Sequence, residues 1–201
     1  MRILVIGATG LLGTEIVRLL SRDHEVIGAS RKGPALTVDI SDKASIVAMY
    51  RQAGAPDAVI CVAGTAKFAP LDVLADEDFA FSLANKLMGQ INLVRCAPQA
   101  VKPGGSITLT SGVLALHPIP GGAAVSVVNA GVDAFVRAAA LELAGKLRVN
   151  AVSPGWVSET LQAMGRDPDE GVPAAVVAQA YRKCVVEDIT GQVVSAALSP
   201  Q

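Results

Sequence analysis

The chain has 201 residues, 51% of them hydrophobic and only 3% aromatic, with a formal net charge of −1. A chain of this length is expected to form one domain, residues 1–201, and to bury about 70% of the surface its unfolded form exposes. Scattered basic residues exclude the cationic stripe of a nucleic-acid binder, and the apolar runs fall short of the roughly 20 residues a membrane span needs, so small molecules are the expected partners.

In chain order, RILVI (2–6) reads as a first strand, and the start MRILVIGATG lacks the small-residue cleavage site of a signal peptide, which gives a cytoplasmic expectation. The glycine-rich turn GATGLLG (7–13) follows, and then TEIVRLLSR (14–22), a helix with Ile16, Val17, Leu19 and Leu20 on one side. HEVIGA (24–29) and LTVD (36–39) are strands, and KASIVAMYRQ (43–52) is a helix capped by Ser41 or Asp42. DAVICV (57–62) is a strand, residues 79–101 a long helix stopped by PGG at 103–105, and SITLTS (106–111) a strand. Residues 122–145 form a second long helix ended by Gly145. RVNAVS (148–153) and QVVSAA (192–197) complete seven strands, and GRDPDEGVP (165–173) between them is a polar loop expected to be mobile. Short Val- and Ile-rich runs alternating with helical segments predict an α/β fold: a single doubly wound Rossmann-type domain, with a seven-stranded parallel sheet covered by helices on both faces. Cys61, Cys96 and Cys184 are odd in number and far apart, which fits reduced thiols and no metal site.

The strand-turn-helix context gives the first glycine cluster chemical meaning. Gly7 permits the tight turn, Gly10 lets the backbone approach a pyrophosphate, and Gly13 allows close packing of helix on strand. Thr9, Leu11 and Leu12 complete a loop whose amides, at a helix N-terminus, face the anion. After the second strand stand Ser30, Arg31 and Lys32, where an NAD-preferring protein offers an acid to the adenosine ribose; a hydroxyl and two cations suit a 2'-phosphate, which favours NADP(H). Asp39 is expected to accept from the adenine amine, or equally to cap the next turn, with Ile40 against the ring.

With these in place, GATGLLG, VDIS (38–41), CVAG (61–64), KLMG (86–89), ITLTSG (107–112) and AALELAGKLRVNAVSPG (139–155) together resemble the short-chain dehydrogenase/reductase family over nearly the whole chain. The resemblance implies that Ala63 and Gly64 lie beside the adenosine, and that Pro154, Gly155, Trp156 and Val157 border the nicotinamide. It also implies alcohol–carbonyl interconversion, and dimers or tetramers built on the two long helices. The family's catalysts are a Ser after the fifth strand, a Tyr and a Lys spaced YxxxK, and commonly an Asn on the preceding helix.

Ser111 matches the Ser. The Tyr position falls on Val125 and the Lys position on Asn129, so both catalysts are missing, while the Asn position is taken by Lys86. Lys86 is expected to point toward the site, with Asn85 about 100° away. Glu159 stands at or beside the position where the family often has Thr after PG, which removes the expected contact with the nicotinamide amide. Losing the Tyr removes a proton donor typically worth about 10² to 10⁴ in rate. The candidates for that role are Ser111, Lys86 and His117, in that order, and Asn129 is expected to bond a ribose hydroxyl. The expected function is NADP(H)-dependent reduction of a small hydrophobic carbonyl, activated ketone or quinone by a non-standard catalytic set. The alternative is a non-catalytic NADP(H)-binding sensor or subunit.

Overall fold

Runs that are apolar on both sides can satisfy their backbone N–H and C=O groups only in a sheet covered twice. The computed structural model describes residues 1–33 and 35–197; residues 34 and 198–201, the last of which close the expected domain, lie outside it. Among the described residues the strands are β1 (Arg2–Ile6), β2 (Glu25–Ser30), β3 (Leu36–Thr37), β4 (Ala58–Cys61), β5 (Ser106–Thr110), β6 (Arg148–Pro154) and β7 (Val193–Ala196). All pair in parallel, in the order β3-β2-β1-β4-β5-β6-β7. This is the expected doubly wound fold.

Alternation along β1 divides the core. Ile3 and Val5 face α1 (Leu11–Leu20) and α7 (Ala174–Val186), where they meet Ile16, Leu20, Val177 and Tyr181. Leu4 and Ile6 face the other side, packing with Met49 of α2 (Lys43–Ala53), Leu93 of α4 (Gly89–Cys96), and Val132 and Val136 of α5 (Ala123–Glu142). These side chains are fully buried, and each such burial stabilises by about 1.5–3 kcal/mol. Asp42, not Ser41, caps α2: its Oδ1 accepts from the Ala44 amide at 2.8 Å.

Several elements depart from expectation. α1 starts at Leu11, directly after Gly10, rather than at Thr14. The second crossover is no single helix over 79–101: it is α3 (Asp76–Ser82), a π-helical turn (Leu83–Met88), α4, and a 3-10 turn (Ala97–Gln99). Strand β3 is only two residues long, because Asp39 turns the chain. Two helices carry no clear sequence signal, α6 (Ser158–Ala163) and α7, whose Val- and Ala-rich run reads equally as strand. The polar segment 165–173 contains a 3-10 turn (Pro168–Glu170) and is tied down by a parallel bridge between Val157 and Val172. α5 reaches a mean hydropathy of 1.4 over 18 residues, long and apolar enough by composition to cross a membrane. It lies instead against β5 and β6, with Val128, Val132 and Val136 fully buried.

One side chain fastens the last part of the chain. Arg148 of β6 donates from Nη1 to the carbonyls of Cys184, Glu187 and Ile189, and from Nη2 to that of Val185, at 2.7–3.3 Å. Two of these carbonyls end α7, where helical partners run out and a cation is favoured. Arg148→Met keeps the stem and deletes the donors, and is expected to lower unfolding stability by roughly 2–4 kcal/mol, read as a lower urea midpoint at unchanged slope.

Candidate functional site

The strand order reverses between β1 and β4, so the loops leaving their C-terminal ends diverge and open a crevice. Gly7 turns there with φ +89°, and a Cβ on it would stand 2.9 Å from the Ala63 nitrogen. A Cβ on Gly13 would overlap the Gly7 carbonyl, so α1 can lie this close to β1 only with glycine at that position. Gly10 is the N-cap of α1, and the amides of Leu11, Leu12 and Gly13 precede the first helical bond, from Thr14 N to Gly10 O at 2.9 Å. Those amides and the positive end of the helix dipole form an anion site.

A cleft of about 620 Å³ extends from this point. Gly7, Thr9 and Gly10 line one end, and Ser30, Arg31 and Lys32 the other. Asp39, Ile40, Ala63 and Gly64 lie between them. Ser30 is 8% exposed, and its buried Oγ has no hydrogen-bond partner among the described residues. Arg31 and Lys32 are exposed and in no ion pair among those residues. An orphaned hydroxyl beside two free cations suits a phosphate. Asp39 takes the turn contact of its two expected roles. Its Oδ1 accepts from the Ser41 amide at 2.9 Å and the Ser41 hydroxyl at 2.6 Å, which holds the carboxyl below its usual range, while the residue still lines the cleft.

Beside Gly64, side chains from two helices meet. Lys86 Nζ donates to Asn129 Oδ1 at 2.7 Å and to the Ser111 carbonyl at 3.3 Å. Gly64, at φ +133°, makes room for the lysine stem: a Cβ there would lie 3.0 Å from Lys86 Cγ. Burial pulls the Lys86 ammonium down to about 8, against the charge of Asp133 one turn beyond Asn129. Lys86 occupies the π-helical turn, the kind of irregularity often kept where function needs a side chain re-aimed. That turn also brings Asn85 into play, contrary to the expectation that it points away: Asn85 lines the same cleft as Ser30 and Arg31, and its Oδ1 accepts from the Thr65 amide at 2.8 Å.

Other expected residues are placed differently. Ser111 is 3% exposed, and its hydroxyl turns to the Val152 carbonyl at 3.5 Å, so its backbone rather than its side chain meets Lys86. His117 is exposed and lines a separate cavity, with Gly155 and Trp156. Pro154 ends β6 and is buried, and Val157 is buried at its bridge to Val172. Glu159 caps α7 instead of facing the site, with both carboxylate oxygens taking the Ala174 amide at 3.0–3.1 Å. Tyr181 is fully buried with its hydroxyl 2.8 Å from Thr110 Oγ1, and Tyr50 donates to the Leu93 carbonyl, so neither supplies the missing tyrosine. Asn85 and Asp133 are the site residues that sequence reasoning misses; the irregular helix hides the first, and the second follows Asn129 by one turn.

A sequence model described as enoyl-(acyl carrier protein) reductase matches residues 13–200. The chain is 27% identical to hydroxynaphthalene reductase arp2 of Aspergillus fumigatus, over 85% of this chain and 68% of that one. A crystal structure of a Listeria innocua protein superposes with a TM-score of 0.92 at 39% identity, covering 97% of this chain and 98% of that one. A small-chain dehydrogenase crystallised in complex with NADPH superposes with a TM-score of 0.84 at 28% identity, covering 97% and 95%.

The lowered Lys86 ammonium has a measurable cost. The unfolded chain holds this proton up to about 10.5 and the folded one only to about 8, so between these values the unfolded state binds more protons and folding gains stability as pH rises. Stability of the native protein relative to Lys86→Met is therefore expected to climb by roughly 2–4 kcal/mol from pH 8 to 10.5 and to be flat below 8, in paired urea titrations.

Proposed function

The chain belongs to the short-chain dehydrogenase/reductase family of oxidoreductases, and from that membership we propose that it is an NADPH-dependent reductase of small hydrophobic carbonyl compounds, activated ketones or quinones, with Lys86 as its proton donor. The observation that carries this reading is the contact between Lys86 and Asn129 at 2.7 Å. Family catalysis needs a cation and an amide at these two places, and here they have changed helices while remaining side by side.

Ser30, Arg31 and Lys32 would hold the 2'-phosphate, and the amides of Leu11, Leu12 and Gly13 the pyrophosphate. Ala63, Gly64 and Ile40 would flank the adenosine, and Asn129 would orient the nicotinamide ribose. The NADPH-bound relative supports this choice of dinucleotide. The bound cofactor supplies the hydride. Lys86 Nζ then gives its proton to the developing alkoxide oxygen and recovers one from water. Its acidity fits that role, because an ammonium near 8 is mostly protonated at neutral pH yet gives up its proton far more readily than an exposed lysine. Ser111 ranks below Lys86 because its hydroxyl is turned into the sheet. Exposed Met88, Val127 and Leu141 on the long crossover helices support a homodimer or homotetramer, as in the family.

Two measurements test this. Reversing charge with Arg31→Glu is expected to weaken NADPH binding at least tenfold in a fluorescence titration and to change NADH binding little; equal losses for both would refute the 2'-phosphate assignment. Against a panel of ketones, enones and quinones, kcat is expected to fall above pH 8 as Lys86 deprotonates, and Lys86→Met to lose about 10² to 10⁴ of the rate. Tight NADPH binding without turnover of any acceptor would instead favour a non-catalytic sensor, the role to which Val125 in the tyrosine position also fits.

A further inference from the structure

Among the residues that α5 buries, Asn129 and Asp133 are polar and stand one turn apart between valines and alanines. A carboxylate in such a stripe is costly unless an opposite charge lies near it. α5 meets the π-helical turn of Lys86 at the level of these two residues: Gly131 lies between them, and a Cβ on it would stand 2.8 Å from Leu87 Cδ2. That close approach sets the Lys86 ammonium against Asn129 at 2.7 Å and within the field of Asp133.

Ser111 links the two charges. Its carbonyl accepts from Lys86 Nζ at 3.3 Å, while its hydroxyl, for which the Val152 carbonyl at 3.5 Å is a distant acceptor, bonds the Asp133 carboxyl. No ion pair joins Lys86 and Asp133 directly among the described residues. The ammonium is thus bonded to two neutral oxygens, and its charge is answered from the next turn of α5. Cys61 of β4 also stands near Lys86, but burial pushes its thiol up to about 12, so it is uncharged where Lys86 titrates. Arg137, one turn further along α5, competes for the carboxylate. Two more ionisable groups line the same cavity as Asp133: His117 is exposed, and Glu170 is taken by Arg166 at 3.1 Å. Burial lifts the Asp133 carboxyl above its usual range, with the Ser111 hydroxyl, Arg137 and Lys86 pulling it back.

We propose that Asp133 is a positioning residue: its carboxylate, held by the Ser111 hydroxyl, is the counter-charge that keeps Lys86 an ammonium. It acts through Lys86 and not on the acceptor. Its part in turnover rests on the reading of Lys86 as proton donor; its hold on the Lys86 charge does not.

In protein carrying 13C at lysine Cε, the signal missing from Lys86→Met reports this ammonium. Its titration midpoint is expected near 8 in the native protein. In Asp133→Asn it is expected at least about half a unit lower, with Asp133→Glu restoring most of the difference. The fall of kcat with pH is expected to move down by the same amount. A midpoint that falls while the kcat profile stays in place supports Asp133 as the counter-charge and refutes Lys86 as the proton donor, so the two readings fail separately. An unchanged or higher midpoint in Asp133→Asn overturns the proposal. If that variant does not fold, the coupling is read from the other side: in Lys86→Met the Asp133 carboxyl, followed by its own 13C signal, is expected to titrate higher by the same amount, and an unmoved carboxyl overturns the proposal.

Discussion

A parallel sheet buried on both faces has one edge at which all its strands end, and that constraint governs everything chemical in this molecule. Because each crossover must return over a face, the loops after β1, β2, β4, β5 and β6 gather at a single rim. The reversal of strand order between β1 and β4 then splays two of those loops apart. The crevice is a product of topology, and it exists before any side chain is assigned to it. What the side chains add is fine adjustment: a glycine at position 13 to bring α1 against β1, a glycine at 64 to let a lysine stem cross, an unshared hydroxyl at 30.

The contact between Lys86 and Asn129 shows what such a rim can assemble. Two helices that approach from different crossovers present side chains to one point, so a cation can be delivered from either. From the π-helical turn, Lys86 reaches the site through packed backbone and loses hydration, which is why its ammonium becomes more acidic. The acidity of this ammonium is thus set by the place from which it reaches the rim.

How much of this is legible in the sequence depends on whether a signal is local. Glycine spacing in a strand-turn-helix context, and the lack of an acid after β2, depend on a few adjacent residues, and the cleft is lined accordingly by Gly7, Gly10, Ser30, Arg31 and Asp39. Lys86 facing Asn129 also follows from register, since both positions lie in recognisable landmarks. The failures share a cause. Asn85 is on the cleft because a π-helical turn departs from the 3.6-residue period on which its direction is judged; Ser111 turns inward because the end of a strand need not keep its face. Glu159 finds a helix terminus fifteen positions away that no sequence window marks, and α7 itself is hidden by Val-rich composition suited to either period.

The four carbonyls held by Arg148 matter for a process as well as for a finished shape. They belong to residues 184–189, some 36–41 positions later in the chain, so during synthesis the guanidinium emerges well before any of its acceptors. Until they arrive, β6 is the outermost strand of a nascent sheet, with an open edge and an unmet cation beside it. That interval is when such a chain is most exposed to mispairing with its neighbours. Arrival of α7 and β7 ends the interval in one step, because the same side chain that seats the helix terminus sits on the strand that β7 must join.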